Sequence, residues 1–311
     1  MSGPPQALVI DRLPTIGAAA VTLGVFDGVH LGHRAVLEAT RVAAAARGAS
    51  SVALVFDPHP DEVLRPGTIV PRLAPTEVNR SRIASLGIHH VLAIRFDPAL
   101  RALAAEAFLD ALSPAVELRA LVMASGSAFG RDRGGTVQAM RSLGAGRGFD
   151  VVSVDPVDVA GGVVSSTRVR GGIAAGDLAT ARRLGVAPYL EGVVVGGDRR
   201  GRALGFPTAN LRFDYAPAMP PLGVYAARLV RGGPAGQPGL VSIGTRPTFE
   251  ADGAVVVEVH LLDFDADLYG MLLGVELVAR LRDERRFDAV SELVEQMHLD
   301  AAEARTVLEA T

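Results

Sequence analysis

The chain has 311 residues, 49% hydrophobic and 21% charged, with a formal net charge of −3; that length holds two ordinary domains, and the mild acidity argues against a broad nucleic-acid surface. Cysteine is absent and all 31 Lys+Arg positions are arginine, which excludes disulfides, thiol catalysis, Cys-ligated metals, a Walker-type phosphate loop and lysine Schiff bases. No run is long enough to span a membrane and no charged-then-apolar leader opens the sequence, so a cytoplasmic protein is expected.

Residues 19–23 form an apolar, β-leaning run that reads as a buried strand. The stretch GVFDGVHLGH, residues 24–33, follows it and leads into an alanine-rich segment, 34–48, with apolar residues at helical spacing. His30 and His33 therefore stand at a helix mouth beside backbone N–H groups, where a phosphate docks. Imidazoles there can donate to a phosphate that is gaining charge, which points to nucleotidyl transfer. The plainer alternative is a helix-capping histidine with a chance neighbour.

Further strands are expected near 51–56, 91–96, 120–123 and 150–154, with helices at 76–86, 98–112 and 136–143. The alternation predicts a doubly wound parallel sheet whose ligands bind beyond the C-terminal strand ends. Phe56-Asp57-Pro58-His59-Pro60 lies at one such end. Ser165-Ser166-Thr167-Arg168-Val169-Arg170 precedes a helix expected over 172–184 and combines hydroxyls with guanidiniums, an anion clamp or simply a helix cap.

Near residue 186 the texture changes. Strand-like runs at 190–196, 222–230, 239–244, 254–262 and 272–282 follow one another without helices, which predicts an antiparallel β-barrel closed by a helix over 288–308. Between the first two runs lies GVVVGGDRRGRALGFPTAN, residues 192–210. Its glycines let backbone N–H groups approach phosphates without a lysine, and Thr208 and Asn210 offer neutral oxygens suited to Mg²⁺. Glu258 interrupts an otherwise apolar strand; lone acids of this kind ordinarily face water.

Taken together, HxGH with FDPHP and SSTRVR, followed by GDRRGRALGFPTAN, resembles the bacterial FAD synthetase family of bifunctional riboflavin kinase/FMN adenylyltransferases over essentially the whole chain. The resemblance implies an adenylyltransferase domain over 1–186 and a riboflavin kinase barrel over 187–311. It implies ATP, riboflavin and FMN as substrates, Mg²⁺ as cofactor, small-molecule partners only (no nucleic acid, no membrane), and a monomer or weak homo-oligomer. His30, His33 and Arg170 would act at the triphosphate, and Glu258 would be the general base for the ribityl 5′-hydroxyl. Gly24, Phe26, Gly28, Ser166 and Thr167 would hold nucleotide in the first domain. Gly197, Asp198, Arg200, Gly201, Arg202, Gly205 and Thr208 would do so in the second, with Thr208 and Asn210 at the metal. Phe56, Pro58, His59 and Phe129 would meet flavin in the first domain, Arg285 and Phe287 in the second, where residues 282–287 close over substrates. Tyr269-Gly270 also fits the family's pattern, and residues 242–249 match its NIGTRPTF run with Ser242 in place of Asn.

One loop departs. Where the family reads VGxDFRFG, this chain has Gly126, Ser127 and Ala128 before Phe129-Gly130. A polar anchor, an aromatic and a cation are missing together. Losing one buried hydrogen bond to a charged group costs about 1.5–3 kcal/mol, so flavin handling is expected to weaken. The alternative readings are a riboflavin kinase with an impaired or altered first domain, and a flavin-binding regulator with vestigial motifs.

Overall fold

The structure, a computed structural model, describes residues 7–196, 205–245 and 255–311. Two compact units result, one comprising the chain through Val70 with Pro75–Ser166, the other Pro71–Ala74 with Thr167–Thr311.

In the first unit the elements run β1 (Gly17–Gly24), α1 (Leu31–Ala45), β2 (Ser50–Asp57), α2 (Pro60–Leu64), α3 (Thr76–Ser85), β3 (His90–Arg95), α4 (Pro98–Ala102), α5 (Ala105–Leu112), β4 (Val116–Ala124), the short hairpin β5 (Ala128–Phe129) and β6 (Gly135–Thr136), α6 (Val137–Arg147) and β7 (Asp150–Val154). The five long strands form one parallel sheet, ordered β3-β2-β1-β4-β7. Parallel strands covered on both faces need continuous apolar runs. Here Val21, Val52, Leu54 and Leu121 bury against α5 on one face, while Ala20, Ala120 and Val122 bury against α1 on the other. Because β1 pairs with both β2 and β4, the order reverses beside β1, and the crevice beyond its C-terminal end is the place for a ligand.

Two helix expectations are corrected. The expected helix over 98–112 is two helices, because Leu103 is extended and its carbonyl accepts from the Arg131 N–H at 2.7 Å. The helix expected over 172–184 is α7 (Ser166–Ala174) and α8 (Leu178–Arg183), broken at Gly176 with φ +78° and restarted by the Asp177 cap on the Thr180 N–H. Ser166, Thr167 and Arg168 thus form the first turn of α7, with Ser165 ahead of it.

In the second unit β8 (Tyr189–Val195), β9 (Ala209–Arg212), β10 (Gly223–Arg231), β11 (Pro238–Thr245), β12 (Val255–Leu261) and β13 (Leu272–Arg282) close into a barrel of order β10-β11-β12-β9-β8-β13, followed by α9 (Val290–Glu309). Alternate residues Leu190, Leu211, Tyr225, Val241, Ile243, Val257, Val259 and Val275 fill its interior. α9 lays Ala304 and Leu308 on the outer face, against Val224, Ala226, Leu240 and Val278. The PTAN segment, which lies between the expected strand runs, leads into strand β9.

Candidate active sites

In the first unit the sequence GVFDGVH makes a tight turn after β1. Phe26, Gly28 and Val29 have φ of 52°, 80° and 50°. A left-handed conformation is costly for a β-branched valine, on the order of 1–3 kcal/mol, and persists only where the surroundings over-determine it. The surroundings do so here. The buried Asn79 of α3 accepts from the Gly28 N–H at 3.0 Å and donates to Asp27 Oδ1 at 3.4 Å. Arg34 Nε donates to the Val29 carbonyl at 3.1 Å, and Ser166 Oγ donates to the Asp27 carbonyl at 3.1 Å. Ser166 of the SSTR motif and Asp27 of the turn before HxGH, 139 residues apart, therefore meet here.

His30 is the N-cap of α1, its Nδ1 accepting from the His33 N–H at 3.2 Å. That bond leaves the proton of the neutral imidazole on Nε2, a donor. The His30 and His33 rings stack with centroids 3.6 Å apart, and Phe26 packs edge-on to His33 at 5.2 Å. Gly32 permits the stack: a Cβ there would lie 3.2 Å from the His30 ring and 3.4 Å from the Val164 carbonyl. The helix begins at residue 31, three residues earlier than expected, because the first histidine caps it.

A cavity of about 840 Å³ opens at the C-terminal ends of β1–β4, within the size range of small-molecule sites. Gly24 and Val25, leading into the HxGH turn, form one wall; Phe56, Phe96, Phe108, Met123 and Phe129 make it aromatic and apolar. Phe56 packs edge-on to Phe96 at 5.4 Å, and Phe108 edge-on to Phe129 at 5.3 Å. Ser127 and Ala128 of the departing loop also line it. Pro58 and His59 do not; His59 caps α2 by accepting from the Asp61 N–H at 3.1 Å, beside lining residues Pro60 and Asp61. The cavity also carries Arg101, Arg131 and Arg133, which no sequence motif singled out. Thr167 and Arg170 belong to the second unit, where Arg170 Nε donates to the Pro71 carbonyl at 2.7 Å.

On the barrel, strand register places Ser242, Glu258 and Asn210 side by side across β11, β12 and β9. Their neighbours Val241, Val257 and Ala209 face the interior, so alternation turns this row outward. Thr208 precedes Asn210 by two residues. Phe206 anchors the segment, buried with its ring 5.2 Å from His260 and 4.8 Å from His298, while His260 Nδ1 hydrogen-bonds the Pro207 carbonyl at 2.8 Å. The segment after β13 reaches the same outer face: a Cβ on Gly244 would lie 3.1 Å from the Glu284 carboxyl carbon. Arg285 stacks on Phe287 at 5.0 Å. Gly205 opens the PTAN approach with φ +82°. Gly197, Asp198, Arg200, Gly201 and Arg202, together with 246–249, lie outside the described residues.

The FAD synthetase family model matches residues 14–168 and the riboflavin kinase model residues 184–308. The chain belongs to the bifunctional riboflavin kinase/FMN adenylyltransferase family. It is 35% identical to the protein of that name from Listeria monocytogenes over 92% of this chain and 91% of the relative. It is 37% identical to the Escherichia coli K12 protein over 95% and 94%. A solved structure described as a macrolide-efflux protein from Streptococcus pneumoniae aligns with TM-score 0.85 at 28% identity, over 96% of this chain and 97% of that one. Among the described residues no helix is long and apolar enough to cross a membrane. Both a riboflavin kinase and an FAD synthetase domain are present in one chain.

Proposed function

We propose that the barrel transfers the γ-phosphoryl group of ATP to the 5′-hydroxyl of riboflavin, and that the parallel-sheet unit transfers AMP from a second ATP to the FMN so formed, releasing pyrophosphate. The observation that carries the second step is the wall shared by the apolar cavity and the strand end leading into the His30–His33 turn. A flavin in the cavity lies beside the helix mouth that holds a triphosphate.

At that mouth, backbone from Gly24 through Gly28 and the imidazoles of His30 and His33 meet the phosphates, and charge stabilisation with alignment carries the reaction. Ser166 holds the turn through Asp27. Phe56 and Phe129, which line the cavity, meet the flavin ring. On the barrel, Glu258 takes the proton of the primary hydroxyl, which is a poor nucleophile until it is removed. Thr208 and Asn210 fit Mg²⁺: a hydroxyl and an amide oxygen beside a carboxylate in register are hard donors that leave positions for water and phosphate. The bound ion supplies charge neutralisation on the transferring phosphates. Gly197, Asp198, Arg200, Gly201, Arg202 and Gly205 cradle those phosphates, and Arg285 with Phe287 cover the flavin. We assign the enzyme to the cytoplasm, where ATP is supplied. No observation favours a riboflavin kinase with an idle first domain.

The two sites are separable by mutation. Glu258→Gln is expected to lower FMN formation at least a hundredfold while FAD formation from added FMN persists. The double substitution of His30 and His33 by alanine is expected to do the converse. If either variant lowered both rates alike, the division of labour would be wrong.

A further inference from the structure

The loop that departs from the family pattern lacks an arginine at Ala128, and the structure holds a replacement on the same wall. We propose that Arg131 and Arg101 together supply the cation that Ala128 does not, binding the phosphate of FMN and so selecting FMN over unphosphorylated flavin. This rests on the reading of the cavity as the flavin site.

Ala128, Arg131 and Arg101 all line that cavity, whose floor is apolar and aromatic. Both arginines are exposed, so they stand at its mouth, where the charged end of an amphipathic ligand remains while the ring is buried. Their two segments are fastened together. The Arg131 N–H donates to the Leu103 carbonyl at 2.7 Å, two residues beyond Arg101. Gly130, at φ +73°, lies so close to α5 that a Cβ would sit 2.6 Å from the Ala105 nitrogen. The turn that follows has Asp132 and Arg133 at φ 54° and 57°, conformations that L residues adopt at a cost. A strained, pinned loop is thus spent on presenting guanidiniums to a cavity mouth.

Their charge is available to a ligand. The Arg131 Nε–Asp132 Oδ2 distance is 3.9 Å, with side chains 63% and 92% exposed, and such a pair is weak in water. An acceptor phosphate brought towards the triphosphate of ATP adds anion to anion, and guanidiniums grip phosphate oxygens in pairs. In a chain without lysine, arginine is the one side chain that carries a permanent positive charge for this.

The test is steady-state FAD formation from FMN and MgATP by the full-length protein, with a matched thermal unfolding curve for each variant. Arg131→Ala and Arg101→Ala are each expected to raise KM for FMN about tenfold, with KM for ATP unchanged. Inhibition by 5′-deoxyriboflavin, a flavin with nothing to phosphorylate, is expected to be unaffected. Ala128→Arg in the Arg131→Ala background is expected to restore KM for FMN. An unchanged KM for FMN in both single variants and in the double variant would overturn the proposal, as would equal loss of 5′-deoxyriboflavin affinity. Ala128→Trp, which fills the cavity, separates the two levels. If it raises KM for FMN and the arginine variants do not, the cavity reading stands and the arginine assignment falls. If it leaves KM for FMN unchanged, the cavity reading itself fails and takes the arginine assignment with it.

Discussion

Asn79 is one of only two asparagines in the chain, and Asn210 is the other. Each stands where an amide serves better than a charge: one splints the left-handed turn before α1, the other faces outward beside Glu258. Asn79 touches the backbone that would bear the phosphates rather than any reacting atom, so it positions. Replacing it with alanine leaves the buried Gly28 N–H without that acceptor. The expected result is at least a tenfold fall in kcat for FAD formation, with riboflavin phosphorylation as the control for folding; equal loss of both rates would refute a local role. His30, His33 and Ser166 were legible because their motifs are contiguous. Asn79 was not, because its contact spans 51 residues and nothing local in α3 marks it. Arg101 and Arg131 escaped for a related reason: loop arginines read as solvated charge until a fold sets them around one cavity.

At the scale of elements, caps and breaks explain where reading by periodicity went astray. His30 closes the first turn of α1, so the helix opens three residues before the alanine-rich run whose spacing marks it in the sequence. The break at Leu103 comes from a hydrogen bond to a loop nearly thirty residues on, information no local window contains. Strand β9 is four residues long and follows a proline, too short to show an alternation. In contrast, β13 was legible to the residue, being a long apolar run between turns. α9 depends on more than its apolar stripe. Arg282 at the end of β13 grips the buried Asp300 of α9 through Nε at 2.9 Å and Nη2 at 2.8 Å, and Gln296 donates to the same carboxylate at 2.9 Å. Asp300→Ala strips a partly buried guanidinium of its partner, and such losses cost about 3–5 kcal/mol. The expected result is a clearly lower midpoint of thermal unfolding in the second unit; a midpoint within a degree of the parent would show that apolar packing alone seats the helix.

For the whole molecule, the change from alternating strands and helices to successive strands was visible in the sequence, because a two-sided parallel sheet and a closed barrel demand different apolar periods. The change lies near residue 186, and the family-model matches end at 168 and begin again at 184. The lack of lysine shapes both units alike: whatever anion each holds must be met by backbone N–H, imidazole, hydroxyl, metal or arginine. We propose that the first unit meets that demand with a capped helix mouth and an arginine-edged cavity, and the second with the metal that Thr208 and Asn210 would hold. Both units are expected to work in one chain despite Gly126-Ser127-Ala128. Incubating the purified protein with riboflavin, ATP and Mg²⁺, and resolving the flavins by chromatography over time, tests this directly. FMN rising first and then giving way to FAD, with one pyrophosphate released per FAD, is the predicted result. FMN accumulating with ATP in excess and no FAD formed would contradict it.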